Sequence, residues 1–253
     1  MDILNVKIDN LFKQEILSKI NFFLSEPCFH QIATVNAEFI LEAQKNPTFK
    51  NVLNNCDLNV ADTISIRYAF LRFGKILKTR LAGADLMMEI LRIASEKNLK
   101  IFLAANKDGL STWQETREAI LKIYPNLEIE GEDFNCHSRE NGNPVTNFLV
   151  STLDSLPTGQ AGRIHGNDKY ILFCNFGAPY QELFINSVKC DKIRLAMGVG
   201  GSFEYLTGKV RRAPVFMRRI GLEWLWRLIL QPRRWKRIWN AVVVFPIKVI
   251  FEK

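Results

Sequence analysis

Five stretches of this chain place chemically capable side chains where apolar runs give way to turns. They are Thr34 with Asn36, Asp62, Arg80, Gln181, and the glycine-rich run holding Gly198, Gly200, Gly201 and Ser202. A carboxylate such as Asp62, brought within about 3 Å of a hydroxyl group, can take its proton. An arginine fork such as Arg80 matches phosphate oxygens, and glycine-rich turns entering helices present backbone amides to anions. Each residue alone also has a plain structural reading. Asn36 and Asp62 suit helix N-caps, Arg80 an ordinary surface position, Gln181 a first helical turn and the glycines a tight turn. The glycines do not fit the G-x-G-x-x-G fingerprint, so a dinucleotide dehydrogenase is not supported.

The elements that must hold these residues read as an α/β chain. Short apolar runs at 31–35, 58–61, 99–104, 127–130, 169–174 and 192–197 predict strands. Longer amphipathic stretches at 37–45, 63–73, 84–97, 109–124, 179–187 and 203–206 predict helices between them. Asn36, Asp62, Asp108 and Ser202 stand where those helices should begin. The alternation implies a Rossmann-like, largely parallel sheet flanked by helices, with ligands at the carboxyl ends of its strands. Residues 136–167, rich in Gly, Asn, Ser and Pro, read as a mobile insert, with a lid over the site as the functional alternative.

Charge divides the chain into a core, residues 1–208, and a helical basic C-terminal appendage, residues 209–253. The appendage has 12 Lys/Arg against 2 Asp/Glu, whereas the core has 22 against 24. A helix starting near Pro214 would align Phe216, Ile220, Trp224 and Leu228 in one stripe, with arginines near its ends. That combination fits docking on an anionic membrane; packing of the stripe on the core is the structural alternative. Nucleic acid ranks below both, because the core is slightly acidic and the aromatics are tryptophans among leucines. Five scattered cysteines without a C-x-x-C pair argue against a disulfide framework or zinc ribbon and fit a reducing cytoplasm. No run reaches the roughly 18 to 20 apolar residues of a membrane span, and Met1 to Asn10 is no secretory signal.

In this order and spacing the motifs resemble the WecG/TagA/CpsF glycosyltransferase family. The resemblance runs from about Gln31 to Trp239 and is strongest in GVGGSFEYLTGKVRRAP, GLEWLWRL and QPRRWKR. It implies an inverting transferase without metal or other cofactor, using a UDP-N-acetylmannosamine-type donor and a polyprenyl-diphosphate-linked N-acetylglucosamine acceptor. It also implies work at the inner face of the cytoplasmic membrane, in cell-surface polysaccharide or teichoic acid synthesis; self-association stays open. Asp62 matches the proposed general base, Thr34 and Asn36 share its pocket, and Arg80 and Gln181 match donor and acceptor contacts. Arg211, Arg212 and Arg218 match appendage arginines that reach the diphosphate, while Arg80 and the amides of residues 198–202 would meet the charge on departing UDP. The chain departs from the family pattern at Ala61-Asp62-Thr63, where relatives often have Pro-Asp-Gly, and at Tyr180, where they often have Lys. A membrane-associated scaffold of the same family, catalytically degenerate, is the alternative reading.

Overall fold

The computed structural model describes residues 1–135 and 170–252, so the predicted insert at 136–167 lies outside the described residues. A two-stranded antiparallel hairpin, β1 (Asp2–Ile3) and β2 (Val6–Lys7), opens the chain. The main sheet has six strands: β3 (His30–Val35), β4 (Leu58–Ala61), β5 (Lys100–Asn106), β6 (Ile129–Phe134), β7 (Tyr170–Cys174) and β8 (Ile193–Gly198). Their order is β4-β3-β8-β7-β5-β6, and every neighbouring pair is parallel. The six predicted strands thus exist, with ends shifted by up to a few residues.

A parallel sheet is covered by helices on both faces, which is why its central strands read as unbroken apolar runs. All residues of β3, β4 and β7 are buried. Successive side chains point to opposite faces: Ile32 joins a cluster with Ile16, Ile20, Ile90 and Leu91, while Ala33 and Val35 join one with Phe39, Phe49 and Phe70. The covering helices are α1 (Lys13–Ser25), α2 (Ala37–Ala43), α3 (Pro47–Asn54), α4 (Ile64–Arg72), α5 (Gly83–Lys97), α6 (Trp113–Leu121), α7 (Tyr180–Ser187) and the single turn α8 (Ser202–Leu206). The hairpin, α1 and α3 were absent from the sequence reading.

Three expected caps are corrected. Asn36 does cap α2, accepting from Phe39 N at 3.1 Å. Asp62, however, does not cap α4: Thr63 holds that position, and Asp62 Oδ1 accepts from Gly83 N, across the pocket, at 3.1 Å. Thr112, not Asp108, caps α6, in reciprocal bonding with Glu115. Gly201 holds the cap position of α8, because the Ser202 hydroxyl turns back to donate to Val199 O.

The basic segment is also built differently from the single predicted helix. It forms α9 (Val215–Ile220), α10 (Glu223–Leu230), α11 (Trp235–Trp239) and α12 (Phe245–Ile250), with a 3-10 turn at Pro232–Arg234 and a π turn at Asn240–Val244. Gly221 ends α9 with φ +82°, and a Cβ there would lie 2.7 Å from the Ile64 side chain. A left-handed glycine closing against a neighbouring helix breaks the stripe after Ile220. At the far end Phe245 and Val249 of α12 are buried in the cluster under α2 and α4. Among the described residues no helix is long and apolar enough to cross a membrane.

Candidate active site

The carboxyl ends of β4, β3, β8 and β7 stand side by side, and one cavity of about 370 Å³ opens there. Thr34 and Asn36 reach it from the end of β3, Asp62 from β4, Asn175 from β7 and Gly198 from β8. The first turn of α7 adds Gln181, the turn before α8 adds Gly200, Gly201 and Ser202, and the loop before α5 adds Arg80. The basic segment closes one wall with Arg212, Trp224, Arg227, Arg234 and Arg237. Nine residues predicted from sequence therefore line this cavity together with Arg212. Arg211 and Arg218 do not: the Arg211 carbonyl accepts from Trp226 Nε1, and Arg218 donates through Nε to Ala213 O.

Asp62 is the electrostatic centre. Burial pushes its pKa from 3.8 up to about 6, helped by Glu223 and opposed by Arg227, the Gly83 amide and Arg80. Its side chain still borders the cavity, so the raised pKa belongs to a carboxyl that a ligand can touch. A carboxylate with a pKa near 6 is a stronger base than an ordinary aspartate, yet mostly ionised at neutral pH.

Five arginines line the cavity among the described residues, and their pairing is uneven. Arg212 grips Asp85 with two bonds of 2.7 Å, Arg237 pairs with Glu38, and Arg227 reaches Glu223 at 3.4 Å. Arg80 donates to the Arg218 carbonyl at 2.7 Å. Tyr205 lies between Arg227 and Arg212, its ring centroid 5.4 and 5.9 Å from the two guanidinium carbons. Arg234 stands apart: burial, Arg237 and Arg227 all push its pKa down, which marks a cation crowded by cations. Such a wall favours a multiply charged anion.

Several buried polar atoms on the lining lack a hydrogen-bond partner among the described residues: Asn175 Nδ2, Glu204 Oε2, Arg212 Nε and Arg227 Nε. Leaving a buried donor or acceptor unsatisfied costs about 1–3 kcal/mol, so such atoms cluster where a ligand completes them. Burial raises the pKa of Glu204 as well, making it a second carboxyl in the pocket that the sequence reading did not assign.

Gln181, besides lining the cavity, ties two of its turns together. Its Oε1 accepts from Gly177 N at 3.2 Å and Gly200 N at 3.0 Å, stapling the turn after β7 to the turn after β8. Its Nε2 donates to Glu182 Oε1 at 2.6 Å. Glu182 is fully buried, and burial raises its pKa from 4.5 to about 8, against the effect of the Gln181 hydrogen bond, so it is neutral at pH 7. Gly198 is required here because a Cβ would collide with the Gln181 amide and the Glu182 carboxyl. The amides of Val199, Gly200 and Ser202 are spent on Cys174 O, Gln181 Oε1 and Val199 O. The expected amide cradle is thereby largely consumed, and arginines dominate the positive side of the pocket.

Comparison with known proteins bears on what such a cavity serves. Residues 1–253 match the pattern of the glycosyl transferase WecG/TagA/CpsF family. A protein of Bacillus spizizenii (strain ATCC 23059 / NRRL B-14472 / W23), named N-acetylglucosaminyldiphosphoundecaprenol N-acetyl-beta-D-mannosaminyltransferase, is 32% identical over 209 residues, covering 82% of this chain and 74% of its own. Its namesake in Bacillus subtilis (strain 168) is 32% identical over 236 residues, covering 91% of this chain and 80% of its own. A parallel α/β sheet with a carboxyl-edge cavity, and similarity over its whole length, place the chain in one group: it belongs to the WecG/TagA/CpsF family of glycosyl transferases.

Proposed function

We propose that this chain transfers an N-acetylmannosamine-type sugar from a UDP donor to N-acetylglucosamine carried on a polyprenyl diphosphate, with inversion and without a metal ion. The observation that carries the proposal is the facing of Asp62 and the arginine wall across a cavity with unsatisfied polar atoms. The names of the two relatives support the acceptor and the sugar.

In this reading the acceptor hydroxyl attacks the anomeric carbon from the side opposite UDP. Asp62 takes the hydroxyl proton as the new C–O bond forms, and UDP leaves with the electron pair of the broken bond. Arg227 and Arg234 face the charge that grows on the leaving diphosphate. Arg212 and Tyr205 hold the wall in place, and Gln181 fixes the two turns beneath the sugar.

The acceptor is lipid-anchored, so the enzyme must meet a bilayer. Phe216, Ile220, Ile229, Leu230, Trp235 and Trp239 are exposed on the basic segment, beside exposed Arg211, Arg219, Arg233 and Lys236. Apolar and cationic side chains together suit the interface of an anionic membrane, which we take to be its cytoplasmic face.

The test is mass spectrometry of products from a panel of UDP-sugars and a short-chain diphosphate acceptor, with and without EDTA. NMR of the new glycosidic bond reports its configuration. Transfer of N-acetylmannosamine with inverted configuration, undiminished by EDTA, is expected. Absence of transfer with every donor would favour the scaffold reading, and loss with EDTA would reject the metal-free mechanism.

A further inference from the structure

At the opposite edge of the sheet, where β3 begins, Glu26, Cys28 and His30 bring their ligand atoms within 4.8 Å of one another. The three lie at alternate positions along the bent connection from α1 into β3, which brings their side chains together. His30 Nε2 lies 2.9 Å from Glu26 Oε2 and 3.2 Å from Cys28 Sγ. One proton on that nitrogen can serve one of these acceptors, not both.

The other face of the imidazole is fixed. Asp57 Oδ1 sits 3.2 Å from Nδ1, near enough to favour the tautomer with the proton on that nitrogen although off the line of a well-formed hydrogen bond. Asp57 is itself pinned by the backbone, accepting from Gln31 N at 2.8 Å through Oδ2 and donating its own amide to Gln31 O. The Phe23 ring stacks on the imidazole at 4.2 Å between centroids. His30 is buried, while Cys28 is exposed and Glu26 partly so, which leaves an open side for an ion to approach.

We infer that Glu26, Cys28 and His30 form a site for a zinc-class divalent metal, with Asp57 holding the imidazole from behind. A thiolate, an imidazole and a carboxylate select zinc or cobalt over magnesium or calcium. Bond lengths of about 2.0–2.3 Å around a tetrahedral ion separate neighbouring ligand atoms by about 3.4–3.6 Å. The two spacings to His30 Nε2 are a few tenths of an ångström shorter, and the Glu26 and Cys28 ligand atoms lie within 4.8 Å of each other, so small shifts of the irregular segment bearing them would complete the tetrahedral set. A carboxylate behind a ligating histidine sets its tautomer and its basicity. Binding releases the Cys28 thiol proton to solvent, requires the imidazole to carry its one proton on Nδ1 facing Asp57 so that Nε2 is free to ligate, and leaves a fourth position for water. This site is separate from the sugar-transfer cavity, since His30 and Thr34 are four residues apart on one strand, about 13 Å; its role is to clamp the α1–β3 connection.

The full chain, purified with a phosphine reductant and without metal, should bind one equivalent of Co²⁺ and show a thiolate-to-cobalt charge-transfer band in the near ultraviolet. Zn²⁺ should displace that band. Cys28→Ser should abolish it, Cys190→Ser should leave it intact, and Asp57→Asn should weaken Co²⁺ binding by roughly 10- to 100-fold. Circular dichroism shows whether each variant is folded. Binding without a thiolate band, a band that survives Cys28→Ser, or no stoichiometric binding would each overturn the assignment, whatever the outcome for sugar transfer.

Discussion

Replacing Asp62 by Asn separates the two consequences of burying that carboxyl. Asparagine keeps an Oδ1 to accept the Gly83 amide, so the local hydrogen bond survives while the charge disappears. The native pKa is raised from 3.8 to about 6, so between those values the folded protein holds a proton that the unfolded chain has lost. The associated stability is complete below pH 3.8 and is lost as pH rises through 6. At 1.36 kcal/mol per tenfold change in the equilibrium, ionised Asp62 costs the fold about 3 kcal/mol at pH 8. Urea unfolding should therefore find Asp62→Asn more stable than the parent by up to about 3 kcal/mol at pH 8, with the gap closing by pH 4. Transfer by the same variant should fall about 10²- to 10⁴-fold, and parental kcat/KM should rise with pH through about 6. A variant that is less stable at pH 8, or a stability gap that ignores pH, would refute burial as the source of the shift. Turnover within a few-fold of the parent would refute Asp62 as the base.

Three further outcomes follow from the same geometry. Glu182→Gln should keep activity and fold, whereas the parent should lose stability as pH climbs from about 4.5 to about 8, where folded Glu182 holds a proton that the unfolded chain has lost; chemical unfolding at pH 5 and 9 compares them. Gly198→Ala should destabilise by several kcal/mol or abolish soluble expression, because the new methyl meets the Gln181–Glu182 pair, and thermal unfolding measures it. Arg234→Ala should raise the KM for the diphosphate substrate at least tenfold while leaving ligand-free stability unchanged or improved, since it removes a cation crowded by Arg227 and Arg237; steady-state kinetics and melting of the ligand-free protein check the two halves.

The alternation of strands and helices was legible because a doubly covered parallel sheet demands short apolar runs, and these are plain in 31–35 and 58–61. Helix α1 escaped because its start has Phe12 at the cap position; only Glu15, reaching back to the Phe12 amide, marks it. The core half of the pocket was readable too, since Thr34, Asn36, Asp62 and Gly198 sit at or just past strand ends where such folds bind ligands. The arginine half was not. Which cations of the basic segment face the cavity depends on the break at Gly221, and that break depends on contact with Ile64, 157 positions earlier. Hence Arg227, Arg234 and Arg237 were missed, whereas Arg211 and Arg218 were expected to point inward. Gln181 was recognised as a pocket residue, but its role as a staple emerges only when β7 and β8 are adjacent.

The basic segment is fastened at both ends, by buried Ala213 where it leaves the core and by Phe245 and Val249 where it returns. Its cations therefore ride on a bowed strap, not a free arm. With Arg212 on Asp85 and Arg237 on Glu38 tying it between those ends, the strap keeps its cations at the opening it covers. Cutting the chain just before Phe245 would turn the strap into a loose end, and the local concentration of arginine at the cavity would then fall with the freedom gained.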